Sequence, residues 1–544
     1  MAIPRTRDDI ERDILEIFGE DFGPSSRSRY ESEADMEYYS ENVAVNSNED
    51  NFGDNLNDER GDNQAFQSEV TPGEEWTLHS RTENTFEYGN NGDVFLIPPD
   101  SSTPFDYFRL LFCDDILGDI VKATNESAVE ILIQSTCVHS RISQWKELDI
   151  SELLVFLGIL FHMGNIKVNK YTDYWRKHYL YNLFSHQFMS KNRFLLIFRC
   201  LKFGDANIHH LIDHFNNIMP TLFIPGENLC IDESMILHRG RSGIRQYIKG
   251  KRHKYGIKLY ILATPTGMSL QIHMYQGKRD SQVGGPGHVD KVVTKLMSKY
   301  LNAGYHLYMD NFYNSVGLAE FLLRNKTNMT GTLRSRRKGN PSIVCNTKLK
   351  KGESIYRYNT HGVCVCKWHD KRDVLTISTK HTPELKAITN RRGQTILKPE
   401  IVIQYNNFMN GVDRQDQMLS YYTCEHKTMR WYKKVGIHVF QMMLLNAFYL
   451  YKLHKNVQID YYKFRESVIE ILLPRPTRTS KVPKNKKFHI PTHLPRDSKG
   501  HTKRRRCKYC WDTKQKRQNT LFYCNFCENQ PSLCIDCFKD YHKY

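Results

Sequence analysis

The chain has 544 residues, enough for about two to four domains, and a formal net charge of +17 at pH 7. No apolar run approaches the roughly eighteen residues of a membrane-spanning helix, and the first residues, MAIPRTRDDIERD, are charged rather than signal-like. We therefore expect neither membrane insertion nor secretion.

The charge is divided unevenly along the chain. Residues 1–100 contain 25 Asp and Glu against 7 Lys and Arg, a net charge of −18. The other residues contain 70 Lys and Arg against 35 Asp and Glu, a net charge of +35. So basic a body indicates a polyanionic partner, most simply a nucleic acid, although a merely solvated surface is the alternative.

Residues 1–98 are rich in Asp, Glu, Asn, Ser and Gly. Such a composition buries too little apolar surface to offset the entropy of ordering, so we predict a disordered acidic arm. Residues 99–226 follow with apolar side chains at helical spacing, as in ELLVFLGILFHMG (152–164). The run NRFLLIFRCLKF (192–203) adds basic residues along an apolar face. This part therefore predicts a helical dimerisation and DNA-binding domain.

The pattern changes at residue 228 from helical to strand-like. NLCIDESMIL, KYGIKLYILA and MSLQIHMYQGK read as three strands, and the last two are joined by the turn TPTG. A helical stretch (287–301), the strand YHLYMD and an amphipathic stretch (315–326) follow. The order strand–strand–strand–helix–strand–helix is the outline of an RNase H-like α/β fold.

The rest of the chain divides by composition into further segments. Short alternating runs predict a β-rich insertion, helical periodicity then returns, and a basic, proline-containing stretch leads to a cysteine-rich tail. The predicted domains after the helical part are 227–335 (RNase H-like catalytic, first part), 336–397 (β-rich insertion), 398–422 (RNase H-like, second part), 423–474 (helical domain, second part), 475–500 (basic linker) and 501–544 (zinc-binding domain).

Four aspartates form a candidate catalytic set. Asp232 and Asp310 lie in or directly after apolar strands that are neighbours in an RNase H-like sheet. Asp413 and Asp416 are spaced i, i+3, which places both on one face of a helix. Converging carboxylates repel one another unless a cation lies between them, and hard oxygen ligands favour Mg²⁺ or Mn²⁺. Two such ions can activate an attacking oxygen and stabilise the leaving oxygen at a phosphodiester. Capping or surface roles are the alternative for any single aspartate.

The tail carries three CxxC pairs and a histidine, which indicates two Zn²⁺ ions in an interleaved cross-brace. Two tetrahedral sites need eight ligands and seven are evident, so His493 or His501 is the candidate for the eighth. A RING- or PHD-like module that binds a protein has a similar ligand outline. The seven predicted zinc ligands are Cys507, Cys510, Cys524, Cys527, Cys534, Cys537 and His542.

Several motifs together resemble the piggyBac transposases. They are IDES…RGR…YIKGKRHKYGIKLY, YHLYMDNFYNS, GTLR and NNFMNGVDRQDQMLSYY…MRWYKK, and the likeness runs from about residue 103 to the end. The resemblance implies an RNase H-like transposase whose three catalytic, metal-binding aspartates are Asp232, Asp310 and Asp413, with Asp416 as an additional aspartate nearby.

The resemblance also implies a reaction course. In this family hydrolysis frees the 3′ end of the element, and the new 3′-OH attacks the opposite strand to form a hairpin with TTAA. Excision is seamless, and the reopened ends join a TTAA target. The implied partners are double-stranded DNA at the transposon ends and at the target, and a second copy of the chain, since two ends must be paired. The implied cofactors are Mg²⁺ or Mn²⁺ at the aspartates and two Zn²⁺ in the tail. The resemblance implies that the tail binds the terminal repeats of the transposon.

Basic and aromatic residues beside these motifs are candidate DNA contacts. Trp431 in MRWYKK matches a family tryptophan that stacks on the distorted DNA end; a core aromatic is the alternative. Two basic runs would supply sequence-independent backbone contacts, unless they are solvated faces. Their members are Arg239, Arg241, Arg245, Lys249, Lys251, Arg252, Lys254, Arg334, Arg336, Arg337 and Lys338.

Three functions are compatible with these features. The first is an active cut-and-paste transposase, which the intact set of four aspartates favours. The second is a domesticated relative that binds DNA without transposing. The third, a zinc-dependent interaction protein such as a RING-type ligase, agrees poorly with the large basic body. The run HTKRRRCK would serve DNA binding or act as a nuclear localisation signal, so we expect a nuclear protein.

Overall fold

The computed structural model describes residues 76–79, 86–89, 98–99, 102–134, 140–181, 183, 185–240, 242–248, 255–277, 280–389, 393, 395–425, 428, 430–474, 489–498 and 500–542. Most of the predicted acidic arm and residues 475–488 of the predicted linker lie outside this part. So do five of the predicted DNA contacts, Arg241, Lys249, Lys251, Arg252 and Lys254.

The first part of the described chain is helical, as the apolar spacing predicted. Its helices are α1 (Pro104–Leu111), α2 (Asp114–Gln134), α3 (Ile150–Asn165), α4 (Ser185–Phe188), α5 (Lys191–Cys200) and α6 (Ile208–Leu222). Local caps explain two of the starts: the Asp149 side chain accepts from the backbone N–H of Glu152, and Ser190 accepts from that of Arg193.

A nine-stranded sheet forms the centre of the molecule. Five helices between or after its strands are α7 (His288–Met297), α8 (Val316–Arg324), α9 (Ser342–Asn346), α10 (Glu400–Phe408) and α11 (Gly411–Tyr421). The nine strands are β1 (Asn228–Leu237), β2 (Arg245–Tyr247), β3 (Tyr255–Ala263), β4 (Ser269–Met274), β5 (His306–Met309), β6 (Asn328–Thr332), β7 (Ser354–Tyr358), β8 (Cys364–His369) and β9 (Asp373–Ser378).

The strand order brings β1 and β5 side by side. The order is β2-β3-β1-β5-β6-β9-β8-β7, and β4 also pairs with β3. The pairs β1–β3 and β3–β4 are antiparallel, whereas β1–β5 and β5–β6 are parallel. The strands that read as an insertion continue the same sheet, because β9 pairs with β6. A separate hairpin, β10 (Leu385–Thr389) with β11 (Thr395–Pro399), precedes α10.

Helices cover both faces of this sheet. On one face the N-terminus of α11 approaches Cys230 of β1. On the other face His288 of α7 contacts Tyr260 of β3, with Tyr260 Oη and His288 Nε2 2.7 Å apart. All but one of the β3 residues are buried, which is typical of a strand covered on both sides.

A long helix ties the helical part to the sheet. Helix α12 (Trp431–Lys455) is buried on nearly all sides, and α13 (Tyr461–Leu472) packs beside it. Two lysines of α12 are buried and donate to backbone carbonyls. Lys433 donates to the carbonyl of Arg199 (2.8 Å), and Lys434 donates to that of Leu237 at the end of β1 (2.7 Å). No helix within the described ranges is long and apolar enough to cross a bilayer.

The cysteine-rich tail consists of short elements around its own small core. They are β12 (Pro491–His493), β13 (Arg505–Arg506), α14 (Lys508–Asp512), β14 (Asn519–Thr520), β15 (Phe522–Cys524) and α15 (Ile535–His542). Strand β12 pairs with β15, and β13 pairs with β14.

Candidate functional site

Asp232 and Asp310 lie at equivalent points of two neighbouring parallel strands. Cys230 pairs with Tyr308 and Ile231 pairs with Met309, so the next step of the register brings Asp232 level with Asp310. Adjacent strands are about 4.8 Å apart, and side chains at equivalent points of a parallel pair extend to the same face. The two carboxylates therefore share one edge of the sheet.

Hydrogen bonds fix the backbone around both carboxylates. Asp232 Oδ1 accepts from the N–H of Glu233 (2.8 Å), and Asp310 Oδ1 accepts from the N–H of Phe312 (2.8 Å). Behind them the buried Asn314 amide donates to the carbonyls of Met309 (2.9 Å) and Thr332 (2.8 Å). This amide holds together the ends of β5 and β6, which explains why a polar residue follows the aromatics of DNFYNS.

Asp413 reaches the same edge from helix α11. The helix starts at Gly411, where an added Cβ would lie 2.5 Å from Cys230 Sγ and closer still to the carbonyl oxygen of Thr264. The first turn of the helix therefore presses directly on β1, two residues before Asp232. Burial is the main reason that the pKa of the Cys230 thiol is raised to about 12; the Asp232 and Asp413 carboxylates contribute to the rise, and backbone hydrogen bonds at Gly411 and Val412 oppose it.

The phenol of Tyr405 lies within the field of all three carboxylates. Burial is the main reason that its pKa is raised, and Asp310, Asp232 and Asp413 add to the effect, while a hydrogen bond with the Thr332 side chain opposes it. Among the described residues, groups of three or more metal-ligating side chains with ligand atoms within 4.8 Å of one another occur only in the tail. The three aspartates thus converge on one edge without so tight a grouping.

The Asp416 side chain contacts β1 at Ser234, two residues beyond Asp232. Its Oδ1 accepts from the Ser234 hydroxyl (2.6 Å), one turn of α11 beyond Asp413. It also lies near His438, whose Nδ1 is 2.8 Å from Glu425 Oε1. Burial lowers the pKa of His438, but the Glu425 carboxylate, with a contribution from Asp416, outweighs burial and raises it above its usual value.

The described basic candidates differ in their surroundings. Arg239, Arg245, Arg334, Arg336 and Lys338 are exposed. Arg245 Nη1 donates to the carbonyl of Arg239 (3.1 Å), and Arg334 Nε donates to Asn311 Oδ1 (3.3 Å), beside the Asp310 turn.

Arg337 and Trp431 are each half-buried rather than fully exposed. Arg337 donates to the carbonyl of Phe312, in the turn that follows Asp310. Trp431 is the first residue of α12, with its ring 6.1 Å from that of Tyr432 in an edge-to-face arrangement. Both side chains keep part of their surface open, and Arg337 does so beside the turn that follows Asp310.

The tail gathers the seven predicted ligands and one further histidine into two clusters of four. The first cluster consists of Cys507, Cys510, Cys534 and Cys537, and the second of His489, Cys524, Cys527 and His542. Cys510 Sγ is 3.4 Å from Cys537 Sγ, and Cys527 Sγ is 3.3 Å from His542 Nε2. These spacings approach the edges of a tetrahedral zinc site, about 3.5–3.8 Å from the usual bond lengths. The first and third CxxC pairs share one cluster, which is the interleaved order that the sequence predicted.

The prediction of His493 or His501 as the eighth ligand is wrong, because His489 occupies that place. Pairing of Pro491 with Cys524 brings the residues just before β12 to the second cluster, where His489 Nδ1 is 3.3 Å from Cys524 Sγ. His493 is two residues further along the ladder, where its ring contacts that of Phe522 in a tilted arrangement (ring centroids 4.3 Å apart). The side chain of His501 is 82% exposed beside Asp497.

His542 is oriented for coordination by its other ring nitrogen. Its Nδ1 is 2.8 Å from the carbonyl oxygen of Phe538, and a carbonyl can only accept, so Nδ1 carries the proton. The unprotonated Nε2 then faces Cys527. Such an outer hydrogen bond commonly fixes the tautomer of a metal-binding histidine, so both clusters fit Zn²⁺.

Two residues of these sites carried no usable signal in the sequence. Tyr405 reaches the aspartates only because α10 packs against β1 and β6. His489 lies eighteen residues before the first CxxC pair, and only the register of β12 with β15 connects it to the cluster.

Comparison with known proteins identifies the class. A family model described as Transposase IS4 matches residues 103–448, more than half of the chain. The human protein PiggyBac transposable element-derived protein 3 is 26% identical over 472 residues, which span 81% of this chain and 76% of that protein. Human PiggyBac transposable element-derived protein 2 is 25% identical over 448 residues, 75% of this chain and 72% of that protein.

A solved structure agrees at the level of the fold. The cryo-EM structure of a piggyBac transposase synaptic complex with hairpin DNA superposes with a TM-score of 0.61 at 23% identity, over 80% of this chain and 96% of that one. The class is thus that of the transposases. Within it, the chain belongs to the piggyBac transposase family, as its motifs indicated.

Proposed function

We propose that this protein is a cut-and-paste DNA transposase that uses Asp232, Asp310 and Asp413 for phosphodiester hydrolysis and strand transfer. The observation that carries the proposal is the register of β1 with β5, which aligns Asp232 with Asp310 at the edge where α11 presents Asp413. The antiparallel β4-β3-β1 and parallel β1-β5-β6 order supports an RNase H-like core.

The three carboxylates fit a hard divalent cation because they offer oxygen ligands alone. When bound, Mg²⁺ or Mn²⁺ would supply activation of the attacking oxygen and stabilisation of the leaving oxygen. The chain itself supplies the alignment: the Phe312 N–H and the Asn314 amide hold the end of β5, and Gly411 lets Asp413 approach β1. Asp416, bound to Ser234, is a positioning residue for α11 on β1.

The proposed course follows the family reaction. Water first hydrolyses the bond at the 3′ end of the element, and the freed 3′-OH then attacks the opposite strand to close a hairpin over TTAA. Reopened ends join a TTAA target. Exposed basic residues near the Asp310 turn, Arg334 among them, would hold the DNA backbone, and Trp431 would stack on a distorted base. We further infer that two zinc ions stabilise the tail, which would bind the terminal repeats.

Two copies must act together to pair two transposon ends, and the DNA substrate implies action in the nucleus. The solved relative is itself a synaptic complex with hairpin DNA. The second candidate function is a domesticated DNA-binding protein, which the names of the human relatives favour, since both are called element-derived. Intact aspartates at all four positions favour the active enzyme.

An excision assay in cells tests the proposal. A reporter gene would be interrupted at TTAA by a marker between the repeats that flank this protein's own gene. The wild type should restore the reporter and leave a single TTAA, Asp232→Asn should not, and Asp205→Asn, at an exposed ion pair with Lys122, should match the wild type. Binding to the repeats without excision by any variant would instead support the domesticated protein.

A further inference from the structure

An exposed aromatic turn protrudes from the helical part of the molecule. The side chains of Tyr179 and Leu180 are 84% and 67% exposed, the highest values among the large apolar side chains of the described residues. Both lie in a short 3₁₀ helix, Tyr179–Tyr181, between α3 and α4. Single exposed apolar residues are common on protein surfaces, but two consecutive ones at a tip indicate a contact surface.

Two buried rings directly before the turn hold it in place. The Tyr174 hydroxyl is bonded to the carbonyls of Met163 (3.1 Å) and Ile166 (2.7 Å). Trp175 Nε1 donates to the carbonyl of Met189 (2.8 Å), which fastens the other side of the turn. The exposed residues are therefore presented by a fixed base.

The tip is also ordered internally. The N–H of Tyr181 donates to the carbonyl of His178 (2.8 Å), and the N–H of Leu180 donates to His178 Nδ1 (3.2 Å). The Arg176 guanidinium lies over the Tyr181 ring, 4.8 Å from its centroid. Because little entropy remains to be lost on binding, a preformed tip binds its partner at lower cost.

The surroundings of the turn are positively charged. Residues 166–192 contain five Lys and Arg and a single acidic residue, the half-buried Asp173. Two copies of this turn facing each other across a twofold axis would oppose like charges, which disfavours a self-interface. A polyanion is the complementary partner. The five basic residues, all exposed, are Lys167, Lys170, Arg176, Lys177 and Lys191.

We propose that the 176–181 turn is an apolar wedge that enters the minor groove of double-stranded DNA and bends it. Tyr179 and Leu180 insert between base steps, and Arg176 and Lys177 contact the flanking phosphates. Apolar side chains inserted between base steps in this way kink a duplex. This inference rests on the proposed function as a DNA-binding transposase and adds a DNA contact on elements that carry none of the aspartates.

The test uses the full-length protein and a mixed-sequence duplex of about 30 base pairs with a fluorophore at each end, so that bending brings the dyes together. The test variant is Tyr179→Ala/Leu180→Ala. The matched control is Tyr462→Ala/Leu453→Ala, which removes an exposed tyrosine and an exposed leucine (41% and 48%) from the same helical part.

We expect the wild type and the control to bend the duplex. The tip variant, Tyr179→Ala/Leu180→Ala, should not bend it and should bind it about tenfold more weakly. Arg176→Gln/Lys177→Gln should reduce the slope of log affinity against log salt by about two.

Three results would overturn the proposal. The first is a tip variant that binds and bends the duplex as the wild type does. The second is a tip variant that loses dimerisation in sedimentation but still bends DNA, which would assign the turn to a second copy. The third is a wild type that binds no duplex at all, which would refute the proposed function as well.

Discussion

Gly411 is the residue on which the placement of Asp413 depends. A methyl group there would collide with Cys230 Sγ and with the carbonyl of Thr264, which is held in the turn between β3 and β4 by the N–H of Gly267 (3.0 Å). The glycine is needed for close approach, since α11 lies on β1 with no intervening side chain. The sequence GVD thus encodes the distance between Asp413 and the strand that carries Asp232.

Gly411→Ala should therefore impair catalysis and stability together. Overpacking of this kind costs about 1–3 kcal/mol of unfolding free energy, and the displaced helix carries Asp413 away from the edge. Urea unfolding and DNA cleavage would be measured in parallel. Gly118→Ala is the control, because an added Cβ meets nothing within 4 Å there, and equal behaviour of the two variants would contradict this role of Gly411.

His489 gives a second prediction at the scale of one residue. We expect His489→Ala to lower the zinc content of the purified protein from two ions to one, measured by atomic emission spectrometry. His493→Ala and His501→Ala should retain both ions, because their side chains contact Phe522 and Asp497 instead. Loss of zinc in His501→Ala but not in His489→Ala would contradict the second cluster as described.

The difference between these residues shows what the sequence can predict. The spacing of the three CxxC pairs and of the following His542 predicted seven ligands and their interleaving, because a metal constrains ligands that are close in sequence. His489 is selected by the register of β12 with β15, a pairing between distant segments that local spacing does not encode. Tyr405 likewise depends on how α10 crosses the sheet.

Among the strands, β5 carries a buried histidine, His306, at its N-terminal end, and this ring packs against the half-buried His381, which follows β9. His306 of β5 stacks on His381 with ring centroids 4.7 Å apart, and its Nε2 is 2.9 Å from the Thr330 hydroxyl. Burial lowers the pKa of His381 to about 4 and that of His306 well below its usual value. Both rings are therefore neutral at pH 7.

Acid should destabilise the fold through this pair. A histidine whose pKa is lower in the folded than in the unfolded state contributes full stability above about pH 6.5, and that stability is lost as the pH falls towards 4. Between pH 7.5 and 5, wild-type unfolding free energy should drop by up to about 2 kcal/mol more than that of His381→Gln. Urea unfolding at both pH values measures this, with the exposed His501→Gln as control. An equal drop in wild type and His381→Gln would exclude His381 as a cause.

Strands that are buried on both faces of the sheet were predictable from the sequence. NLCIDESMIL, KYGIKLYILA and YHLYMD read as strands in the sequence and are β1, β3 and β5 in the structure. The continuation of the sheet through β9, β8 and β7 was not predicted, because alternating segments reveal strands but not their neighbours.

At the scale of the whole molecule, the three carboxylates of Asp232, Asp310 and Asp413 belong to a strongly basic body. The residues after position 100 have a net charge of +35, although they contain 35 Asp and Glu. A positive surface concentrates DNA by releasing its counterions, and three carboxylates need a divalent cation before they can approach a phosphate. Binding and chemistry should therefore be separable: binding without Mg²⁺, and cleavage only with it.

The most direct test of the proposed catalytic centre is a cleavage assay on a labelled duplex that carries one flanking repeat next to TTAA. Wild type, Asp310→Asn and the surface control Asp205→Asn would be compared with and without Mg²⁺ on a denaturing gel. We predict hairpinned ends from the wild type and the control only with Mg²⁺, and bound but uncut DNA with Asp310→Asn. Cleavage by Asp310→Asn at the wild-type rate, or no cleavage by the wild type despite specific binding, would contradict the assignment of the aspartates as the catalytic centre.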